Sequence, residues 1–221
     1  KLKNYIEKKG AIFLSTPFSR KAVDRLVKFK VKAFKIGSGE CNNYPLVDYI
    51  ASFGKPVIIS TGMNDIKSIK KAIKILKKRK VAHAILHTTN LYPTLHRQVR
   101  LNALTELKKK FPNTIIGLSD HTGDNFTSYA AVAMGASIIE KHFIDKSFRK
   151  GPDISASVDS QQMLDLLKGV ELIYKAMPGG IKPIRKEKKT ANFAFASVVS
   201  NADIKKGEIL NTNNIWVRRP G

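Results

Sequence analysis

The chain has one cysteine, Cys41, among 221 residues. A lone thiol cannot form an intramolecular disulfide or build a Cys-type zinc site, so a disulfide-stapled scaffold is excluded. No uninterrupted apolar run approaches the ~20 residues that span a bilayer. The first ten residues, KLKNYIEKKG, carry lysines with no apolar stretch behind them and do not read as a secretory signal. A reducing cytoplasm is the expected compartment. Acidic residues are also scarce: 17 Asp+Glu stand against 40 Lys+Arg, a formal charge of +23. Such an excess points first to a nucleic acid or a membrane surface. The rest of the composition, 43% hydrophobic and 26% charged, is that of a globular protein.

The charge is unevenly placed. Eleven basic residues fall in 1–35, eight in 64–80, five in 97–110, seven in 168–189, and none between Phe111 and Glu140. In 64–80, Ile66, Ile69, Ile73 and Leu76 recur at helical spacing and the lysines fill the opposite side. Asn64 is the candidate N-cap, with Asp65 in the first turn. These lysines read as the wet face of an amphipathic helix. No aromatic residues interleave with them, as a base-stacking surface requires. A basic nucleic-acid-binding protein stays the alternative from a different class, and salt-dependent DNA binding would reveal it.

Apolar, β-branched runs alternate with helical stretches. The runs are 11–15, 33–36, 56–60, 82–87, 114–118 and 137–139 with a tail to Phe143. The helical patterns are 19–30, 43–53, 64–79, 97–110, 124–134 and 159–176. Runs that are apolar at consecutive positions suit parallel strands buried on both faces. An open doubly wound sheet and a (β/α)₈ TIM barrel both fit this α/β repeat. Polar residues follow every run, at 15–17, 35–40, 60–62, 87–90, 119–121 and 140–142. A barrel gathers all its strand ends at one mouth, whereas an open sheet uses one switch point, so the barrel is preferred. A closed barrel needs eight strands. Six runs and a first residue that is not Met lead to the expectation that strands 3–8 are present and the first two precede Lys1. Residues 1–177 are then a partial barrel, and the chain by itself is expected to be inactive.

The texture changes at Pro178-Gly179-Gly180. Residues 178–190 read as an exposed basic linker. Residues 191–221 show short alternating strand patterns, too few to bury a core unaided. Trp216 is expected in the core of this small part.

Six strings now stand in order: FKIGSGECNNYPL (34–46), ISTGM (59–63), LHTTNLYP (86–93), GLSDHT (117–122), EKHF (140–143) and GPD (151–153). Together they resemble the bacterial N-acetylneuraminate (sialic acid) synthase family, over essentially the whole chain. The ECNNYPL string resembles N-acetylneuraminate synthases more than pseudaminic or legionaminic acid synthases. The end of the chain resembles the start of that family's antifreeze-like (SAF) domain. The resemblance implies a (β/α)₈ barrel followed by a SAF domain, in a domain-swapped homodimer. It implies condensation of phosphoenolpyruvate (PEP) with N-acetylmannosamine and water, giving N-acetylneuraminate and phosphate, with a divalent metal, usually Mn²⁺. The alternatives are a synthase for legionaminic or pseudaminic acid and a spore-coat polysaccharide relative. No membrane or nucleic-acid partner is implied.

The resemblance also implies roles. His121 and His142 are the metal ligands; two imidazoles with open positions suit a borderline ion. Packed, satisfied histidines are the plainer alternative. Glu40 is the acid/base for the water that attacks PEP or for the sugar's ring opening; the alternative is a salt bridge to Lys35. Lys35, Ser38, Ser60, Asn90, Tyr92, Ser119 and the weaker Thr16 are the PEP set, although Ser60 and Thr16 could simply cap helices. Asp153 holds sugar hydroxyls, or else serves a turn. Arg219, or its neighbour Arg218 if the register slips, reaches the acetamido sugar of a neighbouring copy. Cys41 is expected to be a small packing residue. His83, His87 and His96 receive no chemical role.

Overall fold

The computed structural model describes residues 1–146 and 148–219. They divide into two compact units, Lys1–Met177 and the part from Pro178 onward. The first unit opens with α1 (Leu2–Lys8) and α2 (Arg20–Lys28). Strands and helices then alternate: β1 (Phe34–Ile36), α3 (Tyr44–Ala51), β2 (Val57–Ser60), α4 (Ile66–Lys78), β3 (His83–Thr88), α5 (His96–Val99), α6 (Asn102–Lys110), β4 (Ile115–Asp120), α7 (Phe126–Ala133), β5 (Ile138–Phe143), β6 (Ser157–Val158) and α8 (Ser160–Ala176). The second unit holds α9 (Lys188–Ala194), β7 (Ser197–Ser200) and β8 (Ile215–Arg218).

Helices α2, α3, α4 and α8 start where side chains supply the missing acceptors. Ser19 Oγ accepts from Ala22 N at 3.3 Å, and Asp159 closes a capping box with Gln162 at the head of α8. At α4 the cap is Asp65, not Asn64: its carboxylate accepts from Ser68 N at 2.7 Å. Asn64 instead donates to Ser38 O and Gly62 O at 2.9 and 2.8 Å. Ile69, Ala72, Ile73 and Leu76 of α4 are buried, while its lysines are exposed. That stripe fits an amphipathic helix laid on a sheet.

The six strands of the first unit are all parallel and follow in the order β1-β2-β3-β4-β5-β6. A doubly wound sheet reverses its strand order at a switch point. Here the order never reverses, and the sheet curls in the TIM-barrel manner with β1 and β6 at its edges. Register and alternation assign the faces. Lys35, Ile58, Ser60, Leu86, Thr88, Gly117, Ser119, Ile138, Glu140 and His142 share one face. Phe34, Ile36, Ile59, Ile85, Ile116 and Leu118 pack against the helices, where the hydrophobic core lies. Cys41 is fully buried in that core, and burial pushes its thiol up to about 12.

Several expectations need correction. Residues 11–15 are not a strand; the backbone bond that ties them to β1 is Lys35 N to Ser15 O at 3.4 Å, and one bond is not a ladder. The sixth strand is Ser157–Val158, paired with His142 and Phe143. The pattern 97–110 is two helices, because Arg100 adopts the left-handed region at φ 56° and ends α5. His96 opens α5. The stretch taken as a linker contains a 3₁₀ turn at Arg185–Glu187 and runs into α9. In the second unit β7 and β8 form an antiparallel pair, and Trp216 is 54% exposed, since a two-stranded pair has no second layer to bury it.

His87 sits on the helix-facing side of β3, with Nε2 2.6 Å from the Val99 carbonyl. It is buried, and burial holds its pKa below the usual imidazole value, against the opposing pull of the Val99 bond. The folded state therefore takes up a proton on His87 less readily than the unfolded chain, which does so near pH 6.5. The stability it contributes is present above about pH 6.5 and is lost as pH falls, by at most ~1.4 kcal/mol per unit. Thermal melts from pH 7.5 to 5 should show a steeper loss for wild type than for His87→Gln. Parallel curves would mean that His87 titrates alike in both states.

Candidate functional site

The polar residues that follow the strands meet at the C-terminal end of the sheet. Lys35, at the middle of β1, directs Nζ to Ser60 Oγ at 2.8 Å and to Glu140 Oε1 at 3.3 Å. Ser119 Oγ donates to the same Glu140 oxygen at 2.7 Å. Four strands thus contribute one chain, Ser60–Lys35–Glu140–Ser119. Lys35 is only 8% exposed, and burial lowers its pKa while Glu140 works to restore it. The close approach of β4 and β5 requires Gly117: a Cβ there would lie 2.4 Å from Ile138 O and 2.6 Å from Leu86 Cδ2.

A second group adjoins the end of β2. Ser38, in the 3₁₀ turn Ser38–Glu40, accepts from Gly62 N at 3.0 Å. A Cβ on Gly62 would fall 1.9 Å from Asn90 Oδ1 and 2.9 Å from Ser38 Oγ, so the missing side chain makes room for both. Asn90 Oδ1 is buried and, among the described residues, has no hydrogen-bond partner. Thr16 lines the same cavity as Lys35 and Glu140, with a volume of about 1110 Å³. Glu40 ends the 3₁₀ turn, half-buried, and accepts from Asn43 Nδ2 at 2.6 Å. The carboxylate that pairs with Lys35 is Glu140, so the salt bridge considered for Glu40 is replaced by this one.

The third group is aromatic. The rings of His121 and His142 are 5.1 Å apart, edge to face. Tyr92 stacks on His121 at 4.3 Å and meets His142 edge-on at 5.5 Å. His121 Nδ1 lies 2.9 Å from Thr89 O, so it is the protonated nitrogen and leaves Nε2 with a lone pair. Burial lowers the His121 pKa, which favours the neutral imidazole. His142 Nδ1 is 3.7 Å from Asp153 Oδ2, and Asp153 is exposed just before the 3₁₀ turn Ile154–Ala156. Burial raises the Tyr92 pKa, with Asp153 and Glu140 adding to it. Ser119 and His121 lie two residues apart, as do Glu140 and His142, so the Ser119–Glu140 pair and the imidazoles are about 7 Å apart along the strands. Arg219 follows β8 in the second unit and is exposed.

Sequence reasoning passed over Glu140, although EKHF was in view. The signal was available: Glu140 and His142 are two apart on a strand and must share a face. Thr89, Gly62 and the buried Asp120–Lys141 pair behind the site were also missed, because each acts through a register that only the folded chain reveals.

The NeuB family pattern matches residues 1–182. An uncharacterized protein of Methanocaldococcus jannaschii is 43% identical over all of this chain and 66% of that protein. The N,N'-diacetyllegionaminic acid synthase of Campylobacter jejuni is 41% identical over 98% of this chain and 66% of that enzyme. The structure of N-acetylneuraminic acid synthetase from Leptospira borgpetersenii, solved with citrate, superposes with a TM-score of 0.81 at 32% identity, over 86% of this chain and 66% of that one. The chain thus spans 66% of the length of these curated relatives. The match over residues 1–182 and these identities lead to one conclusion: the chain belongs to the NeuB family.

Proposed function

We propose that the protein is a PEP-dependent synthase of nine-carbon sugar acids that joins PEP to an N-acylated amino sugar, with N-acetylmannosamine the first candidate and N-acetylneuraminate its product. The observation that carries this reading is a buried lysine bonded to Ser60 and linked through Glu140 to Ser119, beside a pair of imidazoles set edge to face at the same sheet end. PEP bears a carboxylate and a phosphate. Lys35 supplies the cation, Ser38, Ser60 and Ser119 the hydroxyls, Asn90 the amide, with Thr16 and Tyr92 beside them. Glu140 opposes the lowering of the Lys35 pKa by burial.

The donor set fits a divalent ion. His121 presents Nε2, and His142 stands beside it. Among the described residues no cluster of three or more His, Cys, Asp or Glu could hold a metal. Two imidazoles leave most positions to water or substrate, which suits an exchangeable ion such as Mn²⁺. When bound, that ion polarises the aldehyde of the open-chain sugar. Tyr92 fixes the His121 ring plane. C3 of PEP bonds to the aldehyde carbon as the C=O π pair moves onto oxygen, which takes up a proton to become a hydroxyl. Glu40 takes the proton of the water that adds at C2, and the C–O bond to phosphate then breaks. Asp153 orients sugar hydroxyls, and Arg219 serves the acetamido group from a neighbouring copy in a domain-swapped dimer.

The test is phosphate release from PEP by the intact protein with Mn²⁺ and a panel of N-acylated amino sugars. Acceptor-dependent release, abolished by chelation and in His121→Ala, is the expected result. No release with any acceptor would overturn the reading. Two relatives bear names for different acids, a legionaminic acid synthase and a sialic acid synthetase, and the panel identifies the acceptor.

A further inference from the structure

Behind the site lies a polar cluster that the proposed chemistry does not use. Asp120 on β4 and Lys141 on β5 are register partners and face the helices. Their side chains are 0% and 1% exposed, and Lys141 Nζ is 3.1 Å from Asp120 Oδ2. The same carboxylate oxygen accepts from Thr127 Oγ1 at 2.7 Å and Ser128 Oγ at 2.6 Å, both on α7. Asp120 Oδ1 accepts from Thr122 N at 2.9 Å. Lys141 Nζ also donates to Thr122 O at 2.7 Å and Thr122 Oγ1 at 3.1 Å.

Stability alone is a poor reason for this pair. Burying two charges costs about as much as their attraction returns, and a packed apolar pair of similar volume is often more stable. The contacts suggest another role. Asp120 precedes His121, Thr122 follows it, and Lys141 precedes His142. One ammonium therefore grips the residues on both sides of one imidazole and belongs to the neighbour of the other. The carbonyl of His121 is fixed from a further side by Thr94 N at 2.9 Å.

The geometry points to the Asp120–Lys141 pair, with Thr122, as a positioning device that sets the separation of His121 and His142 for one divalent cation. This rests on the reading of the two histidines as its ligands. Outer partners that orient ligands typically cost 10–100-fold in metal affinity when lost.

The test uses the intact protein, with free Mn²⁺ read by electron paramagnetic resonance and metal-free thermal melts run alongside. Asp120→Asn/Lys141→Met removes both charges and leaves none stranded. It is expected to melt no lower than wild type, yet to bind Mn²⁺ roughly 10–100-fold more weakly. Lys141→Met alone should lose both stability and affinity. Wild-type Mn²⁺ affinity in the folded double variant overturns the proposal and leaves the histidine reading intact. No Mn²⁺ binding by wild type overturns the histidine reading, and the proposal with it. Should the double variant not fold, Ser128→Ala decides. Losing one donor to Asp120 should weaken Mn²⁺ by roughly 2–10-fold, and unchanged affinity overturns the proposal.

Discussion

Glu40→Gln in the intact protein should lower kcat by about 10²–10⁴-fold and leave the KM for PEP close to wild type. The substitution keeps the shape and the hydrogen bond that Asn43 donates at 2.6 Å, because a glutamine oxygen can still accept it. What it removes is a group able to take and return a proton. Glu40 is held at the end of a 3₁₀ turn directly after β1, half-buried and two residues from Ser38. A change confined to kcat separates proton transfer from binding. Near-normal turnover would assign the proton to another group and leave Glu40 as a turn residue.

Lys35→Met should raise the KM for PEP by roughly 10- to 150-fold, the range for a lost hydrogen bond to a charged group. Acceptor KM and Mn²⁺ affinity should move far less, since Lys35 touches Ser60 and Glu140, not the imidazoles. The variant also leaves Glu140 with Ser119 and no cation. Adding Glu140→Gln removes that stranded charge and should recover part of any lost thermal stability, but not PEP binding. Equal PEP affinity in wild type and Lys35→Met would exclude the lysine from the anion site.

Much of this was readable in advance. Five of the six parallel strands announced themselves as apolar, β-branched runs, and α4 by its isoleucine stripe. The failures have physical causes. Ser157–Val158 is too short to carry any period. Residues 11–15 have strand-like residues but only one backbone bond to β1. Arg100 ends a helix in a left-handed conformation that its residue type does not advertise. For the site, residues just past each strand were legible because a barrel mouth collects them. Partnerships across strands were not. Glu140 as the mate of Lys35, and Asp120 as the mate of Lys141, depend on register, which shifts every pairing when it slips by one residue.

The two halves of the site rest on different kinds of backbone. Ser60 and Ser119 stand on strands with ladders on both sides and Lys35 on edge strand β1 with a ladder to β2, whereas Asp153 stands exposed beside a short 3₁₀ turn. A substitution near Asp153 perturbs a turn and little else; one near Lys35 perturbs the sheet. On the proposed assignment, the sugar contact at Asp153 is therefore easier to alter without disturbing the fold than the donor contacts on the strands.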